Sequence, residues 1–580
     1  MNIMETEIRH MKWWGWGYED VTFDDTGKPQ LWPYLKRELG IDEIRWNKPI
    51  SFDDVSLPKP KINETFFALI KTKLDKDQIK EDKKTRLIHA AGKSFRDLWL
   101  MRQGDIKFAP DCVIFPNNEE DVVSIMNAAK EHEVVLIPFG GGSNIAGCLE
   151  PKDRSNRMVV SLDMCRMHKV IDVDKYSLIA RIQPGVYGQH LEEQLEEHGV
   201  TLGHFPDSFL HSTLGGWVAT RSAGMQSDIY GKIEDMVISL RMVTPSGTVI
   251  TRTVPKSSNG IDIRHLCIGS EGILGVITEV VIQVHKKPEK EDWHGWLFPD
   301  FQSGIAAIHE CHQYNCMPTV TRLNDPKKTA LSFAFKSPKT GVKATIANAF
   351  KWYIGNVKKI DFNHCCLMVV KYEGTKKEFK KIKKQVSSIY KKHRGVCLGA
   401  EPGRSFAKVK FDFPHLRDFT MDRSIMADVS ETATTWSNLS AMHKNGLKDI
   451  EKAINETGVN GWVGCHLSHS YHSGASLYFT FGCLQREDQE IQQYLYVKKA
   501  AEDAFMNNGG TLSHHHAVGT EHLPWIEQDI SPTGLKAVKA LKDGLDPNGI
   551  MNPGKIIPSK KPLSDWGLSD ESINRFKSHT

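Results

Sequence analysis

A tyrosine on an alternating strand is the first residue whose position could support proton transfer. Residues 474–483 alternate in polarity, so Leu477 and Phe479 fall on one face and Tyr478 falls on the polar face. Tyrosine ionises at about pH 10 in water, so it acts as a base only where nearby cations lower its pKa. A core tyrosine with its hydroxyl bonded to the backbone fits the same pattern. Tyr471, on a less regular stretch, is a second candidate base.

Three consecutive histidines, His514, His515 and His516, follow a predicted helix over 489–507. The segment 511–516 is predicted to be extended, which places His514 and His516 on one face and His515 on the other. Metal sites usually take histidines one helical turn apart or dispersed along the chain. The triplet therefore favours proton handling beside an anionic ligand, with a solvated polar tip as the alternative, and no metal site is predicted.

Two arginines of the middle region, Arg322 and Arg417, could hold a phosphate monoester. Such a group needs fixed, fork-shaped donors, which guanidinium supplies bidentately. From the residues alone, an ordinary surface position is the favoured explanation for either arginine.

Four glycine-bearing segments stand at the ends of predicted strands: 140–142, 184–185, 213–216 and 268–277. Because glycine has no Cβ, the backbone N–H groups of such loops can approach a ligand closely. Four loops in this order indicate an extended, phosphate-bearing ligand.

The elements that position the first loop are a strand over 112–115, a helix over 119–132 and a strand over 134–138. A Rossmann fingerprint is excluded, although Asp163 lies about 20 residues beyond the glycines. The loop of that fold must open a helix, and the residues over 146–157 include a glycine, a proline and a turn-like run.

The 580 residues suffice for two to four domains, and 75 basic against 71 acidic residues leave a net charge of +4. This balance excludes long disorder and gives no support for nucleic-acid binding. No apolar run reaches the roughly 18 residues of a membrane span.

Eleven scattered cysteines without a CxxC pair predict neither a disulfide framework nor a zinc site. Residues 1–11 lack a secretory signal, and the ending Ser578-His579-Thr580 narrowly misses a peroxisomal tripeptide.

Five segments together resemble the vanillyl-alcohol-oxidase/PCMH-type FAD family: Pro138–Asn144, Asp207–Thr213, Thr220–Ala223, Glu271–Ile277 and Asp546–Lys555. The resemblance implies a mixed α/β and α+β fold, with a two-subdomain PCMH-type FAD-binding domain, an α+β cap domain and a helical N-terminal region. The expected boundaries are 1–107 for the helical region, 108–288 for the FAD-binding domain, 289–510 for the cap, and 511–580 for a segment that returns to the FAD-binding domain.

Within that superfamily the chain resembles the alkyldihydroxyacetonephosphate synthases. The resemblance rests on Lys12–Tyr18, Gly203–Ser208, Ile229–Asp235, Thr321–Asp325 and, most distinctively, Leu512–His516.

The resemblance assigns roles to positions of this chain. It implies FAD bound without a covalent link, a catalytic group of side chains and a substrate-binding arginine. The implied catalytic residues are Tyr478, His514, His515, His516 and Arg322, and the implied substrate-binding residue is Arg417. The implied cofactor-binding residues are Pro138, Phe139, Gly140, Gly141, Gly142, Ser143, Asn144, His204, Asp207, Ser208, Ser212, Thr213, Gly216, Thr220, Arg221, Ser222, Ala223, Glu271, Gly272, Ile273, Leu274, Gly275, Val276 and Ile277.

The implied reaction exchanges the acyl chain of 1-acyl-dihydroxyacetone phosphate for a long-chain fatty alcohol, through a flavin N5 adduct and with no net redox change. The resemblance further implies ether-lipid synthesis, a homodimer, peripheral membrane association and peroxisomal residence.

The alternative is an FAD-dependent D-2-hydroxyacid dehydrogenase or oxidase of the same fold. Enzymes of that kind carry a His-Gly-Asp-Gly-Asn-type metal segment and a Glu-His-Gly element. The corresponding stretches here, 470–474 and 515–517, lack both carboxylates, which disfavours metal-assisted hydride transfer.

Overall fold

The computed structural model of the protein describes residues 11–151, 156–336 and 341–578. The predictions for the first ten residues and for the last two residues of the terminal tripeptide lie outside these ranges.

The strands of the described chain are β1 Ile79–Lys80, β2 Cys112–Ile114, β3 Val135–Phe139, β4 Val159–Asp163, β5 Val170–Asp174, β6 Ile179–Ile182, β7 Val200–Thr201, β8 Val237–Thr244, β9 Gly247–Ile250, β10 Val276–Gln283, β11 His285–Lys286, β12 Lys290–Phe298, β13 Val320–Asn324, β14 Cys366–Gly374, β15 Val396–Gly399, β16 Ile425–Thr435, β17 Gly461–Ser470 and β18 Gly474–Leu484.

The helices are α1 Leu31–Leu39, α2 Glu64–Lys71, α3 Lys83–Ile88, α4 Phe95–Gln103, α5 Glu119–Glu131, α6 Gly188–Glu196, α7 Leu214–Thr220, α8 Ser227–Tyr230, α9 Ile233–Met236, α10 Ile263–Cys267, α11 Phe301–Gln313, α12 Pro326–Ala334, α13 Gly341–Trp352, α14 Lys376–Lys392, α15 Glu401–Val409, α16 Leu416–Met421, α17 Leu439–Glu456, α18 Glu490–Asn507, α19 Ile526–Leu545, α20 Pro562–Trp566 and α21 Asp570–Lys577.

Two sheets carry the glycine loops. The first has the order β1-β2-β4-β3, with β2 and β3 parallel to β4. The helix α5 connects β2 to β3 and begins where Asn118 accepts a hydrogen bond from the N–H of Asp121. This confirms the predicted strand–helix–strand unit. The second sheet is antiparallel, with the order β5-β6-β10-β8-β9. The glycine-bearing loop over 268–275 leads directly into its central strand β10.

A larger antiparallel sheet, β15-β12-β14-β13-β17-β18-β16, forms the cap. One face of β18 is buried: Leu477, Phe479 and Phe481 are fully enclosed in a core shared with Leu439 of α17 and Phe505 of α18. The predicted alternation of this strand is confirmed, because its opposite face turns Tyr478 away from that core. Because the apolar face of β18 must be buried, the opposite face, which carries Tyr478, points into the site.

The N-terminal region shows one wrong prediction. Apolar residues at roughly helical spacing predict a helix over 65–79, but the helix ends at Lys71, and Ile79–Lys80 form strand β1 instead. Strand β1 pairs antiparallel with β2, placing Ile79 opposite Ile114, so pairing with a distant segment overrides the local helical pattern. The clustered Trp13, Trp14 and Trp16 could serve for packing or for docking, and packing is the favoured prediction; Trp13 and Trp16 are buried and Trp14 is half-buried, in agreement with packing.

Among the described helices, none combines the length and the apolar character needed to cross a bilayer.

Candidate active site

A cavity of about 1260 Å³ lies between the glycine loops and the cap sheet. One wall consists of backbone-rich loops over 138–145, 206–223 and 270–277. The opposite wall consists of side chains from β13, α12, α16, β17, β18 and the histidine triplet. The two halves of the chain therefore meet at one cavity, which is larger than the roughly 300–1,000 Å³ of a typical small-molecule site and so has room for more than one ligand.

The first glycine loop presents free N–H groups to this cavity. Within the described chain, none of the backbone N–H groups of residues 140–144 donates a hydrogen bond to another protein group. Gly141 is required for close packing, because a Cβ there would lie 2.0 Å from the carbonyl oxygen of His211. Successive unpaired N–H groups in a tight loop form a cradle for anionic oxygen.

A second loop runs into α7, whose first turn also faces the cavity. Thr213 caps this helix by accepting a hydrogen bond from the N–H of Gly216 at 3.4 Å. A Cβ on Gly216 would meet no protein atom closer than that same hydroxyl, so the space beyond it is open. Together with the unpaired N–H groups of 140–144, this geometry fits the pyrophosphate of a dinucleotide such as FAD.

Most of the residues predicted to bind the cofactor line this cavity. Four of them do not: His204, Arg221, Ile273 and Leu274. His204 is buried behind the wall with its Nε2 3.1 Å from Ser222 Oγ, and burial lowers its pKa to about 3. The lining residues are Pro138, Phe139, Gly140, Gly141, Gly142, Ser143, Asn144, Asp207, Ser208, Ser212, Thr213, Gly216, Thr220, Ser222, Ala223, Glu271, Gly272, Gly275, Val276 and Ile277.

Glu271 is a brace between the loops and the C-terminal segment. Its carboxylate accepts hydrogen bonds from the N–H groups of Val518 at 2.7 Å and Gly519 at 2.8 Å, and from Cys148 Sγ at 3.2 Å. These contacts hold the segment that follows the histidine triplet against the cofactor loops. The sequence pattern marked Glu271 but gave no sign of these partners.

Tyr478 lies on the cavity face of β18. Strand pairing sets it between Glu431 of β16 and His466 of β17. Its ring lies 4.8 Å from that of His466, 6.0 Å from His515 and 5.3 Å from His516, measured between centroids. Two partners predicted from sequence, the tyrosine and the triplet, are thus brought together.

In the protein alone, nearby cations do not lower the pKa of Tyr478 below its ordinary value, which is the condition for it to act as a base. Burial raises this pKa well above its usual range, and Asp207 adds to the effect. Arg417 and Arg322 act in the expected direction but only partly offset it.

Tyr471, the competing candidate, does not line the cavity. Its hydroxyl is hydrogen-bonded to His514 Nε2 at 2.6 Å, and burial raises its pKa as well. The two tyrosines therefore differ in access to the cavity rather than in acidity.

The histidine triplet is not an extended strand, and the predicted alternation of its side chains is wrong. The N–H groups of His514, His515 and His516 all donate to the carboxylate of Glu431 at 2.8–3.1 Å, and Ser513 Oγ donates to it at 2.8 Å. Convergence of successive N–H groups on one acceptor curls the segment. His515 and His516 consequently both line the cavity, whereas His514 turns towards Tyr471.

Glu431 is the charged centre of this arrangement. Burial alone would raise its pKa, but the surrounding histidines and the N–H donors outweigh burial and hold the pKa well below its usual range. Burial lowers the pKa of His515 to about 3 and that of His516 to about 4, so both rings are neutral near pH 7. The triplet thus places two neutral rings, which can accept hydrogen bonds, beside the negatively charged carboxylate of Glu431.

Two overlapping groups of side chains here have ligand atoms within 4.8 Å of one another: His469, His514 and His515, and Glu431, His515 and His516. The same atoms are engaged with each other, since His514 Nδ1 and His515 Nδ1 lie 2.9 Å apart and Glu431 already accepts several hydrogen bonds. The prediction of no metal site stays a prediction.

The two arginines line the cavity in different electrostatic states. Arg417, on α16, is ion-paired with Asp428 at 2.5 Å and donates to the carbonyl of Lys93 at 2.9 Å. Arg322, on β13, has no carboxylate within 4.0 Å among the described residues and lies over the rings of Phe406 and Phe413. Of these two arginines, only Arg322 reaches the cavity without an ion-paired carboxylate among the described residues.

Sequence reasoning missed two residues of this wall, Lys328 and His466. Lys328 Nζ lies 2.9 Å from His466 Nδ1 and 5.4 Å from the centre of the Tyr478 ring. Burial and the Arg322 guanidinium lower the pKa of Lys328 to about 7. The dipeptide Asp325-Pro326 signals a helix start just before Lys328, but no local signal pairs it with β17.

Comparisons with known proteins agree with this architecture. Residues 110–253 match the family described as FAD binding domain, and residues 287–556 match the C-terminal domain of FAD linked oxidases. The chain is 40% identical over 541 residues to an alkyldihydroxyacetonephosphate synthase of Dictyostelium discoideum, covering 92% of this chain and 88% of that protein. A solved alkyldihydroxyacetonephosphate synthase structure is 36% identical, covers 94% of this chain and 98% of its own, and gives a TM-score of 0.82.

More distant similarities concern the fold and the alternative activity. A p-cresol methylhydroxylase structure is 15% identical with a TM-score of 0.63, covering 86% of this chain and 98% of its own, and so shares the fold alone. A mitochondrial D-lactate dehydrogenase of Arabidopsis thaliana is 27% identical, covering 77% of this chain and 74% of that protein. The predicted PCMH-type fold is confirmed, and the dehydrogenase alternative has the weaker support.

Proposed function

The chain belongs to the alkyldihydroxyacetonephosphate synthase family, and from this premise we propose that it replaces the acyl chain of 1-acyl-dihydroxyacetone phosphate with a long-chain fatty alcohol. The products are 1-alkyl-dihydroxyacetone phosphate and a fatty acid, so the protein is a transferase of ether-lipid synthesis that depends on FAD.

One observation carries this proposal: a tyrosine, an arginine that forms no ion pair within the described chain, and a glycine-loop cradle line the same cavity. The cradle offers the N–H groups of residues 140–144, and Tyr478 and Arg322 stand on the opposite wall. A cofactor held by that cradle and a phosphate ester held by Arg322 would therefore lie in the same cavity.

The residues of the cradle would hold the pyrophosphate of FAD without a covalent link. When bound, FAD supplies an electrophilic flavin nitrogen, N5, for a reaction that leaves its redox state unchanged. Thr213, Gly216 and the loop 140–144 would fix the dinucleotide, and the Glu271 brace would keep these loops closed against the C-terminal segment.

Tyr478 would remove a proton from C1 of the acylated substrate while the carboxylate leaves. Because burial raises the pKa of Tyr478, its own proton must first pass to a neighbour. His515 and His516 lie beside the ring, are neutral and are held by Glu431, so they are placed to accept a hydrogen bond from its hydroxyl. Because burial makes them weak bases in the protein alone, transfer of the proton requires bound substrate and cofactor to raise their pKa values. Arg417 would contribute at the substrate end of the cavity, and His514 would hold the triplet in place through Tyr471.

We also propose a homodimer, peroxisomal residence and peripheral membrane association, all from family resemblance. The membrane proposal has one structural support. Phe350, Trp352 and Val357 are exposed in and after α13, and Lys351 and Lys358 lie among them. Exposed aromatic side chains mixed with lysines suit the interface of an anionic bilayer.

The test is product analysis of the purified flavoprotein. Incubation with palmitoyl-dihydroxyacetone phosphate and hexadecanol should yield 1-hexadecyl-dihydroxyacetone phosphate and palmitate, both detected by mass spectrometry. Each product should accumulate less when hexadecanol is omitted than when it is present. Absence of the ether product would overturn the proposal. Persistent bleaching of the flavin by D-lactate under anaerobic conditions would instead support the dehydrogenase alternative.

A further inference from the structure

Lys328 occupies a costly position for a lysine. It stands in the first turn of α12, where Asp325 caps the helix by accepting its N–H at 2.7 Å. Only 9% of the residue is exposed. Burial disfavours a positive charge here.

Within the described chain, no carboxylate forms an ion pair with the ammonium group of Lys328, although Asp325 and Asp207 act from a greater distance to favour its charge. Among the described residues no carboxylate lies within 4.0 Å of it, and its hydrogen-bonding partner, His466, has a pKa held well below its usual range by burial and by nearby cations. The oxygens of Asp325 are occupied by the backbone N–H groups of Lys328 and Cys465.

Arg322 shares this condition, and the two cations are coupled. The charge of Arg322 contributes to lowering the pKa of Lys328, and both groups face the carboxyl of Asp207 beyond ion-pair distance. The rings of Phe406 and Phe413, 5.4 and 5.8 Å from the guanidinium carbon, hold the Arg322 fork in place. Two basic side chains without an ion-paired carboxylate in the described chain, on the wall of one cavity, are suited to bind an anionic ligand.

We propose that Arg322 and Lys328 together form the subsite for the phosphate group of the acylated substrate. This inference rests on the proposed function and deepens it. A phosphate monoester carries a charge of about −1.5 to −2 near pH 7, which matches the pair. Arg417 suits this role less well, because Asp428 already neutralises it. Phosphate held beside Lys328 also places the substrate next to Tyr478, 5.4 Å from the ammonium nitrogen.

The neighbouring residue supplies a matched control. Lys327 stands on the same helix but points outward, with 43% of its side chain exposed and an ion pair to Glu451 at 3.0 Å. Lys327→Met and Lys328→Met therefore remove the same charge from adjacent positions, one outside and one inside the cavity.

The experiment measures steady-state kinetics and binding with the FAD-loaded protein. For Lys328→Met we expect KM for palmitoyl-dihydroxyacetone phosphate to rise about 10- to 100-fold, which is the effect of losing a charge-assisted hydrogen bond. KM for hexadecanol and flavin content should stay within twofold. Lys327→Met should leave both constants unchanged, and Lys328→Arg should recover KM for the phosphate substrate to within about fivefold.

A binding assay separates this inference from the proposed function. Dihydroxyacetone phosphate, titrated calorimetrically into the flavoprotein without alcohol, should bind at least tenfold more weakly to Lys328→Met than to Lys327→Met. This readout needs no turnover, so it can succeed even where no ether product forms. Equal affinities in the two variants, or a loss of kcat at unchanged KM, would overturn the subsite. If Lys328→Met loses its flavin, the comparison of Lys328→Arg with Lys328→Gln decides in its place.

Discussion

The two walls of the cavity are built on different physical bases. The cofactor wall uses backbone N–H groups in loops whose close packing requires glycine, as at Gly141. The cap wall uses side chains from strands and helices far apart in the chain: Tyr478, Arg322, Lys328 and the triplet around Glu431. A backbone cradle depends on local sequence, whereas the cap depends on strand register. This difference predicts that the cap wall responds to the loss of single side-chain groups, whereas the cofactor wall responds to added bulk in its loops.

Removal of a single atom from the cap wall is expected to lower activity more than any change that we propose in the cofactor wall. Tyr478→Phe removes only a hydroxyl, yet it should lower kcat by about 10²- to 10⁴-fold, the usual contribution of a general base. Flavin content and the melting temperature should stay unchanged, since the ring still packs beside His466. Turnover of palmitoyl-dihydroxyacetone phosphate is the measurement.

Tyr471→Phe is the matched control for this substitution. It removes the hydroxyl that bonds His514 outside the cavity, so kcat should fall by less than about tenfold. The reverse order of the two effects would transfer the catalytic role to Tyr471.

The cofactor wall should respond to added bulk rather than to lost chemistry. In Gly141→Ala the new Cβ would meet the carbonyl oxygen of His211 at 2.0 Å, so the loop must shift. We expect destabilisation of about 1–3 kcal/mol and loss of most bound flavin. Flavin absorbance per protein and thermal melting measure both effects.

Gly544→Ala, at an exposed site on α19 where a Cβ meets nothing within 4 Å, should keep full flavin and stability. If Gly141→Ala retained its flavin with an unchanged melting temperature, the cradle would not depend on close backbone packing.

The smallest predicted effect is a pH dependence of kcat/KM, which tests whether Lys328 of the cap wall carries a charge when the substrate binds. Burial and Arg322 lower the pKa of Lys328 to about 7, while Asp325, Cys465 and Asp207 act in the opposite direction. The ammonium form is present below that pKa and is lost as pH rises through it. We therefore expect kcat/KM for the phosphate substrate to fall up to about tenfold between pH 7 and 9.

In Lys328→Met this fall should be absent, because the titrating group has gone, and the variant should be slow across the whole range. An identical pH profile in both proteins would assign the titration to another group and remove Lys328 from the binding step.

Sequence reasoning succeeded where local patterns decided the outcome. The unit from β2 through α5 to β3, the Asn118 cap and the alternating faces of β18 all follow from residues close together in the chain. It failed for 65–79, where pairing of β1 with β2 overrode helical spacing. It failed again for the triplet, since no local pattern indicates that Glu431, more than eighty residues away, gathers three N–H groups.

The sequence by itself determined the cradle, the tyrosine-bearing strand and the family, because glycine spacing and strand alternation are local properties of a chain. Only the tertiary structure decided which cations form an ion pair. Arg417 forms an ion pair with Asp428, eleven positions along the chain. Lys328 contacts His466 of β17, 138 positions along, and has no carboxylate within ion-pair distance in the described chain. Charge balance depends on distances of a few ångströms between distant segments, and such distances exist only after folding.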